Sequence, residues 1–166
     1  MRLFLGSFAT VEFYDDIRRD LQPFFEGKWV APQHLHMTWF FLGERESPEK
    51  IVDALQPLKT IGRGPLAIQG FGMFGKPDPK IFYLKTSTKA LLPIYRRIEE
   101  LLGERVRSPF RAHVTLARIK RFRSFGFRHL ERPWMSEPLG TIEPTIRLVE
   151  SRLTPSGPVY IPLEAF

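Results

Sequence analysis

The hydrophobic positions along the chain follow two periods, one typical of strands and one typical of helices. Apolar stretches of strand length predict strands at 2–9, 34–42, 66–74, 80–86, 113–119, 142–153 and 159–163. Apolar residues spaced three and four apart, together with a Ser-Pro-Glu start at 47–49, predict helices at 11–25, from 48 to about 58, and at 88–102. Pro93 argues for a late start or a kink in the last helix.

Two of the predicted strands carry the same short phrase, which reads HMTW at 36–39 and HVTL at 113–116. Side chains two apart on a strand point to the same face. His36 and Thr38 therefore share one face, and His113 and Thr115 share another. If the two strands lie side by side, two imidazoles and two hydroxyls surround one small space. Such a site suits chemistry on a phosphate, whereas a lone strand histidine is more often structural.

The two motif strands lie in different halves of the chain, which is long enough for one well-cored domain of two lobes. Strands and helices alternate without the regular βαβ repeat of a parallel sheet. This pattern predicts an α+β protein in which residues 1–166 form a single two-lobed domain, with two antiparallel sheets facing across a central cleft.

Composition narrows the class of protein further. Hydrophobic residues make up 43% of the chain and charged residues 26%, as in soluble globular proteins. The absence of cysteine excludes disulfides, thiol catalysis and thiolate metal sites. The apolar run at the N-terminus is short and acidic residues follow at once, so we expect a strand there and not a signal peptide. We therefore expect a cytoplasmic protein with no membrane contact.

The charge is positive and unevenly placed, with a net charge of +7 and a pI near 10.0. The segment 118–132 carries one acid, Glu131, among many cations, and phenylalanines are interleaved with them: Arg118, Lys120, Arg121, Phe122, Arg123, Phe125, Phe127, Arg128 and Arg132. Guanidinium groups bind phosphate and aromatic faces stack on bases, so a basic approach to the site is one interpretation. A solvated basic loop whose phenylalanines pack inward is the other.

Several separated segments resemble one protein family, in order and in spacing. They are RLF at 2–4, WVAP at 29–32, LHMTWFFLGE at 35–44, PFRAHVTLAR at 109–118, LVESRL at 148–153 and GPVY at 157–160. On these segments the chain resembles the two-histidine (2H) phosphoesterases of the LigT-like group, close to bacterial and archaeal RNA 2′,3′-cyclic phosphodiesterases. The resemblance covers nearly the whole length and implies a bilobal, pseudo-two-fold fold with helices on the outside.

The resemblance also implies a reaction and the role of each motif residue. His36 is expected to protonate the departing 3′ oxygen and His113 to activate water, so that a 2′,3′-cyclic phosphate opens to a 2′-phosphomonoester. Two imidazoles can hold opposite protonation states near neutral pH. The hydroxyls of Thr38 and Thr115 can donate to the phosphoryl oxygens. Reversible 2′–5′ RNA ligation is the same chemistry with a ribose hydroxyl in place of water.

Three further positions match the family near its cleft. Arg118 matches a phosphate-contacting arginine, with a surface charge at a strand end as the alternative. Phe41 and Tyr160 are candidates for contact with a base or ribose, with core packing as the alternative. We expect RNA ends or nucleoside 2′,3′-cyclic phosphates as substrates, no cofactor and no metal, and a monomer.

One departure from the family leaves a metal alternative open. His34 stands where members usually have Asn, and His34, His36 and His113 together have the residue types of a zinc site. A second alternative is a non-catalytic RNA-end binding module that uses the basic segment, with salt-dependent binding and no hydrolysis.

Overall fold

The computed structural model describes residues 1–166 and consists mainly of antiparallel strands. The strands are β1 Arg2–Val11, β2 Phe25–Trp29, β3 His36–Glu44, β4 Leu66–Gln69, β5 Phe71–Phe74, β6 Ile81–Lys85, β7 His113–Phe122, β8 Pro138–Ile142, β9 Arg147–Thr154 and β10 Gly157–Ala165. The helices are α1 Tyr14–Leu21, α2 Glu49–Leu55 and α3 Thr88–Leu102. Short 3₁₀ turns span Pro32–His34, Gln56–Thr60, Gly126–His129 and Pro133–Met135.

Neighbouring strands follow the order β10-β9-β1-β3-β7-β6-β5. In addition, β2 pairs with β7, and β8 pairs with both β1 and β4. We name β10, β9, β1 and β3 the first sheet, and β7, β6 and β5 the second sheet. The two sheets are joined by one residue pair only, Met37 opposite Val114. The predicted α+β class with antiparallel strands is confirmed, and the single pair joins the two sheets into one continuous ladder.

The motif strands bury one face and leave the other accessible, as their alternation predicts. Met37 and Val114 are fully buried in the core, whereas His36 and Thr38 are half-buried on the opposite face of β3. Burying apolar side chains on one face stabilises the sheet by roughly 1.5–3 kcal/mol for each large side chain. That burial fixes which way the polar motif residues point, because a slip of one residue would move them into the core.

Helix α3 covers one side of the core and begins where the sequence places it. Ser87 caps it by accepting a hydrogen bond from the backbone N–H of Ala90 at 3.3 Å. Leu91, Tyr95 and Ile98 form its buried face. Pro93 lies inside the helix and removes one backbone donor, but it neither delays the start of the helix nor ends it.

Several elements differ from the sequence prediction. The predicted strand 142–153 is wrong as one strand, because residues 143–146 lie outside any strand and separate β8 from β9. Helix α1 ends at Leu21, and Phe25–Trp29 form β2 on the edge of β7. The predicted strand 66–74 is two strands, because Gly70 has a φ of 80° and breaks it. Its two parts then pair with different strands, β4 with β8 and β5 with β6. No helix of the structure combines the length and the apolarity needed to cross a bilayer.

Candidate active site

The two motif histidines come together where the sheets join. Met37 lies opposite Val114, so the flanking residues of the two antiparallel strands are neighbours on the other face. His36 is thereby brought towards Thr115 and Thr38 towards His113. Diagonal neighbours in such a pair lie roughly 7–8 Å apart, a distance that one phosphate group can bridge. A charge on His113 lowers the pKa of His36, in keeping with the positions that the strand pairing gives the two rings.

Both rings are held by the same backbone hydrogen bond. Nδ1 of His36 lies 2.7 Å from the carbonyl oxygen of His34, and Nδ1 of His113 lies 2.6 Å from that of Arg111. A carbonyl only accepts, so each Nδ1 carries the proton and donates it. In the neutral ring Nε2 is therefore the free base, and this second nitrogen is the one available for chemistry. The two halves of the site thus repeat one geometry.

Burial lowers the pKa of both histidines below their ordinary value. For His36 desolvation is the main cause, the bond to the His34 carbonyl opposes it, and charge on His113, His34 and Arg118 lowers the pKa further. For His113 desolvation again dominates and the bond to the Arg111 carbonyl opposes it. Both rings are therefore neutral at neutral pH in the free protein. An anion bound between them favours the protonated form of one ring.

Aromatic side chains of the first sheet surround His36. The ring of His36 lies 5.0 Å from that of Phe4 and 5.1 Å from that of Tyr160, measured between ring centroids, and Tyr160 stands edge-on to it. Tyr160 also contacts the ring of His34 at 5.2 Å. Burial raises the pKa of Tyr160, against the opposing charges of Arg118 and Arg2. Tyr160 thus lies beside the first motif.

Aromatic side chains of the second sheet surround His113 in the same way. Phe74 and Tyr83 lie 4.9 Å and 5.4 Å from its ring and stack on each other at 4.2 Å. Neither residue belongs to a motif in the sequence. Strand alternation in β6 is the available signal, since Phe82 and Leu84 are buried and Tyr83 must face the other way.

An irregularity in β7 brings Arg118 to the face of the motif. Tyr83 lies opposite Thr115 and Phe82 opposite Ala117, so one residue, Leu116, is extra in β7. Leu116 and Ala117 are consequently both buried, and the alternation shifts by one residue after them. Arg118 returns to the face of Thr115 and is exposed there. Its charge acts on both His36 and Tyr160. Arg118 therefore lies at the site.

Strand β3 repeats this irregularity and presents Phe41. Gly6 lies opposite Thr38 and Leu5 opposite Phe40, so Trp39 is the extra residue. Phe41 stands five residues after His36, as Arg118 stands five residues after His113, and its side chain is 73% exposed. Its ring lies 6.5 Å from that of Phe4. The core-packing alternative for Phe41 is therefore wrong.

The basic segment 118–132 fits in part each of its two interpretations, a basic approach to the site and a loop whose phenylalanines pack inward. Arg123 forms an ion pair with Glu26, and Arg132 pairs with the buried carboxylate of Asp20 at 3.2 Å. Phe127 is fully buried, in keeping with a structural role. Phe125 is 41% exposed beneath the guanidinium of Arg128, which lies 4.5 Å from its ring. Only part of the segment is therefore available to a ligand.

The three histidines considered as zinc ligands are not arranged as a metal site. His34 lies in the 3₁₀ turn Pro32–His34 and not on β3, so it does not share a strand face with His36. No group of three or more His, Cys, Asp or Glu side chains has an arrangement that holds a metal ion. Imidazole, hydroxyl and guanidinium groups on this face can transfer protons and donate hydrogen bonds to an anion.

Comparison with known proteins agrees with this fold. The model of the "LigT like Phosphoesterase" family matches residues 12–83. An RNA 2′,3′-cyclic phosphodiesterase of Archaeoglobus fulgidus is 31% identical over 96% of this chain and 98% of its own. A protein of the same name from Thermus thermophilus is 33% identical over 100% of this chain and 89% of its own.

Solved structures show the same architecture. The crystal structure of TT0787 of Thermus thermophilus superposes with a TM-score of 0.73 at 29% identity, over 100% of this chain and 97% of that one. Escherichia coli LigT complexed with 3′-AMP has the same fold, with a TM-score of 0.68 at 21% identity over 99% of this chain and 96% of that one.

The fold and the similarity to these relatives together define an enzyme of the two-histidine phosphoesterase class. Within that class, the chain belongs to the LigT-like phosphoesterase family.

Proposed function

We propose that this enzyme opens 2′,3′-cyclic phosphate ends of RNA to 2′-phosphomonoesters. The observation that carries the proposal is the pair of equivalent imidazoles, His36 and His113, each held through Nδ1 with Nε2 free. The named activity of the relatives supports the substrate class. Two proton-transfer groups on one small site are needed for catalysis and not for binding, which favours an enzyme over an RNA-binding module.

The reaction takes one proton from water and gives one to the sugar. His113 Nε2, neutral because burial lowers its pKa, accepts a proton from the attacking water. A bond forms between that oxygen and phosphorus, and the bond from phosphorus to O3′ breaks. His36, protonated when the anionic phosphate is bound beside it, donates its proton to O3′. The resemblance to the family supports this direction of transfer.

Hydroxyl and guanidinium groups stabilise the charge that builds up on the phosphoryl oxygens. Thr38 and Thr115 flank the histidines on the half-buried face and donate to these oxygens. Arg118 adds a positive charge on the same face and can donate two parallel hydrogen bonds to a phosphate. All three groups are carried by strands, so little reorganisation accompanies the reaction.

The terminal nucleoside lies on the side of His36. Tyr160 is half-buried against the His36 ring, and Phe41 is exposed at the edge of the same sheet. Both rings can support a base or ribose through stacking or edge contact. The site takes one histidine from each sheet, so residues 1–166 act as a single two-lobed domain in this proposal.

Hydrolysis of nucleoside 2′,3′-cyclic phosphates in the presence of a chelator tests the proposal. Phosphorus NMR distinguishes 2′- from 3′-monophosphate products. We expect 2′-monophosphate at a rate that EDTA does not change and that added zinc does not increase. A 3′ product would contradict the proposed direction of ring opening. Loss of turnover in EDTA, with recovery on adding zinc, would support the zinc alternative instead. RNA binding without any hydrolysis would overturn the proposed function.

A further inference from the structure

A cavity lies next to His113, on the side from which the nucleophile attacks in the proposed function. Its volume is about 340 Å³. The lining includes Phe74, Tyr83, Lys85, Thr86, Thr88 and Arg111. One water molecule occupies roughly 30 Å³ in the liquid. The space is therefore larger than an attacking water requires, and its walls carry both aromatic and cationic groups.

The aromatic wall is a stacked pair whose geometry depends on a glycine. Phe74 and Tyr83 stack with centroids 4.2 Å apart and planes inclined by 24°. Gly72 lies opposite Tyr83 in the β5–β6 pair. A Cβ at Gly72 would lie 2.5 Å from Cζ and Oη of Tyr83, closer than any real contact. The missing side chain thus lets the tyrosine ring lie across β5 and extend the phenylalanine surface.

The cationic wall consists of Lys85 and Arg111. Lys85 lies opposite His113 in the β6–β7 pair, and the guanidinium of Arg111 lies 5.9 Å from the Phe74 ring centroid. Both cations are exposed, and neither belongs to the ion pairs of the structure. Thr88, the first residue of α3, also lines the cavity, so the positive end of that helix adds to the field. These groups together favour an anion beside an aromatic surface.

We propose that this cavity binds a second nucleotide next to the reacting phosphate, with Lys85 and Arg111 on its phosphate and the Phe74–Tyr83 pair against its base. The inference rests on the proposed function, since it takes the reacting phosphate to lie between His36 and His113. A stacked base contributes roughly 5- to 150-fold in affinity, so the effect is measurable.

The second nucleotide has two possible sources. One is the upstream nucleotide of the same RNA strand. The other is a nucleotide whose 5′-hydroxyl takes the place of water. In that case a bond forms from O5′ to phosphorus, the bond to O3′ breaks, His113 takes the hydroxyl proton and His36 gives one to O3′. The reverse reaction cleaves a 2′–5′ linkage and needs no other reactant.

Two substrate comparisons distinguish these sources. For the upstream source, kcat/KM is measured for a dinucleotide with a 2′,3′-cyclic phosphate end and for the matching nucleoside 2′,3′-cyclic phosphate. For the second source, kcat/KM is measured for cleavage of the ester at the 2′-phosphate in two compounds. One is a 2′–5′-linked dinucleotide that carries a 3′-phosphate on its second nucleoside. The other is the methyl ester of the nucleoside 2′-phosphate, which lacks the second nucleotide. We expect a preference of about tenfold or more for the larger substrate in at least one comparison.

Variants then identify the residues that cause the preference for the larger substrate. Lys85→Ala with Arg111→Ala removes both cations and is expected to reduce the ratio to about threefold or less. Gly72→Ala keeps both charges but displaces the Tyr83 ring, and it is expected to lower the same ratio. Lys50→Ala removes one charge from α2, away from the cavity, and should leave the ratio as in the unmodified protein. Melting curves identify any variant that fails to fold, and the single Lys85→Gln and Arg111→Gln variants then replace it.

The outcomes separate this inference from the function on which it rests. A ratio near one in both comparisons, or a preference that survives loss of both cations, overturns the second-nucleotide site. Absence of turnover on the nucleoside 2′,3′-cyclic phosphate itself overturns the proposed function. The mononucleoside substrate reports on the catalytic pair alone, and the ratio reports on the cavity.

Discussion

Removing the motif hydroxyls without changing shape tests how the enzyme stabilises the reacting phosphate. Thr38→Val and Thr115→Val replace a hydroxyl by a methyl group of nearly the same size. Both threonines are half-buried on the accessible face of their strands. The free energy of unfolding should therefore change by no more than about 0.5 kcal/mol.

The expected loss of activity follows from what the hydroxyl does. A donor to the charge of a transition state is worth about 10²- to 10³-fold in kcat, equivalent to about 2.7–4 kcal/mol. Water screens a half-exposed cleft more than a closed site, so the lower end applies here. We expect kcat on a nucleoside 2′,3′-cyclic phosphate to fall about 10²-fold in each valine variant.

Serine at the same positions is the matched control. Thr38→Ser and Thr115→Ser keep the hydroxyl and should stay within about tenfold of the unmodified enzyme. Initial rates measured by chromatography at saturating substrate give kcat for all four variants. If both valine variants retain kcat within about threefold while remaining folded, the hydroxyls do not contact the transition state and the reasoning is refuted.

Three further predictions concern charge, protonation and packing. Arg118→Met should lower kcat/KM about tenfold at low salt and less at high salt. It should also raise the pKa of His36 in an NMR titration, because the arginine charge lowers that pKa. An unchanged His36 titration would show that Arg118 does not lie beside His36. The bell-shaped pH profile of kcat/KM should have its maximum below pH ~6.5, because burial lowers the pKa of both His36 and His113. The profile of kcat should lie at higher pH, because the bound anion favours protonation of a histidine. A maximum of kcat/KM above pH ~7.5 would contradict this. Ser7→Ala should lower the free energy of unfolding, measured in urea, by about 2–4 kcal/mol. The buried serine oxygen accepts a hydrogen bond from Trp39 Nε1 at 2.8 Å and donates one to a backbone carbonyl at 2.6 Å, and both are lost in the variant. A loss under about 0.5 kcal/mol would show that water replaces both bonds.

Strand alternation alone predicts which side chains share the accessible face. Residues two apart in HMTW and HVTL point the same way, and the burial of Met37 and Val114 confirms it. Alternation does not predict that the two motif strands pair with each other. Met37 and Val114 lie far apart in the sequence, and nothing local specifies their pairing. The order of strands and helices predicted two sheets facing across a cleft, and the family resemblance implied the same arrangement, but neither specifies this residue pair.

The irregularities of β3 and β7 could not be predicted from alternation. Counting in steps of two from His113 puts Arg118 on the same side as Val114, in the core. The extra residue Leu116 reverses this, but an extra residue has no signature in an apolar strand where both neighbours are buried. The basic segment and the resemblance both pointed to Arg118, and the structure supplies the physical reason for its orientation.

Long-range pairing also explains the elements that the sequence prediction missed. Phe25 stands four residues after Leu21 and so continues a helical spacing, yet Pro23 intervenes and Phe25 pairs with Phe122 of β7. Strand β8 depends on a close approach to β1: a Cβ at Gly140 would lie 2.0 Å from the carbonyl oxygen of Thr10. Local propensity does not report such contacts.

Replacement of each histidine tests the central claim most directly. The measurement is kcat for hydrolysis of a nucleoside 2′,3′-cyclic phosphate by His36→Gln, His113→Gln and the double variant, each shown to be folded by its melting curve. If the two rings act together as acid and base on one phosphate, each single change should lower kcat about 10²- to 10⁴-fold. The double variant should then be at most about tenfold slower than the slower single variant. A folded single variant that keeps kcat within about threefold of the unmodified enzyme would contradict the claim.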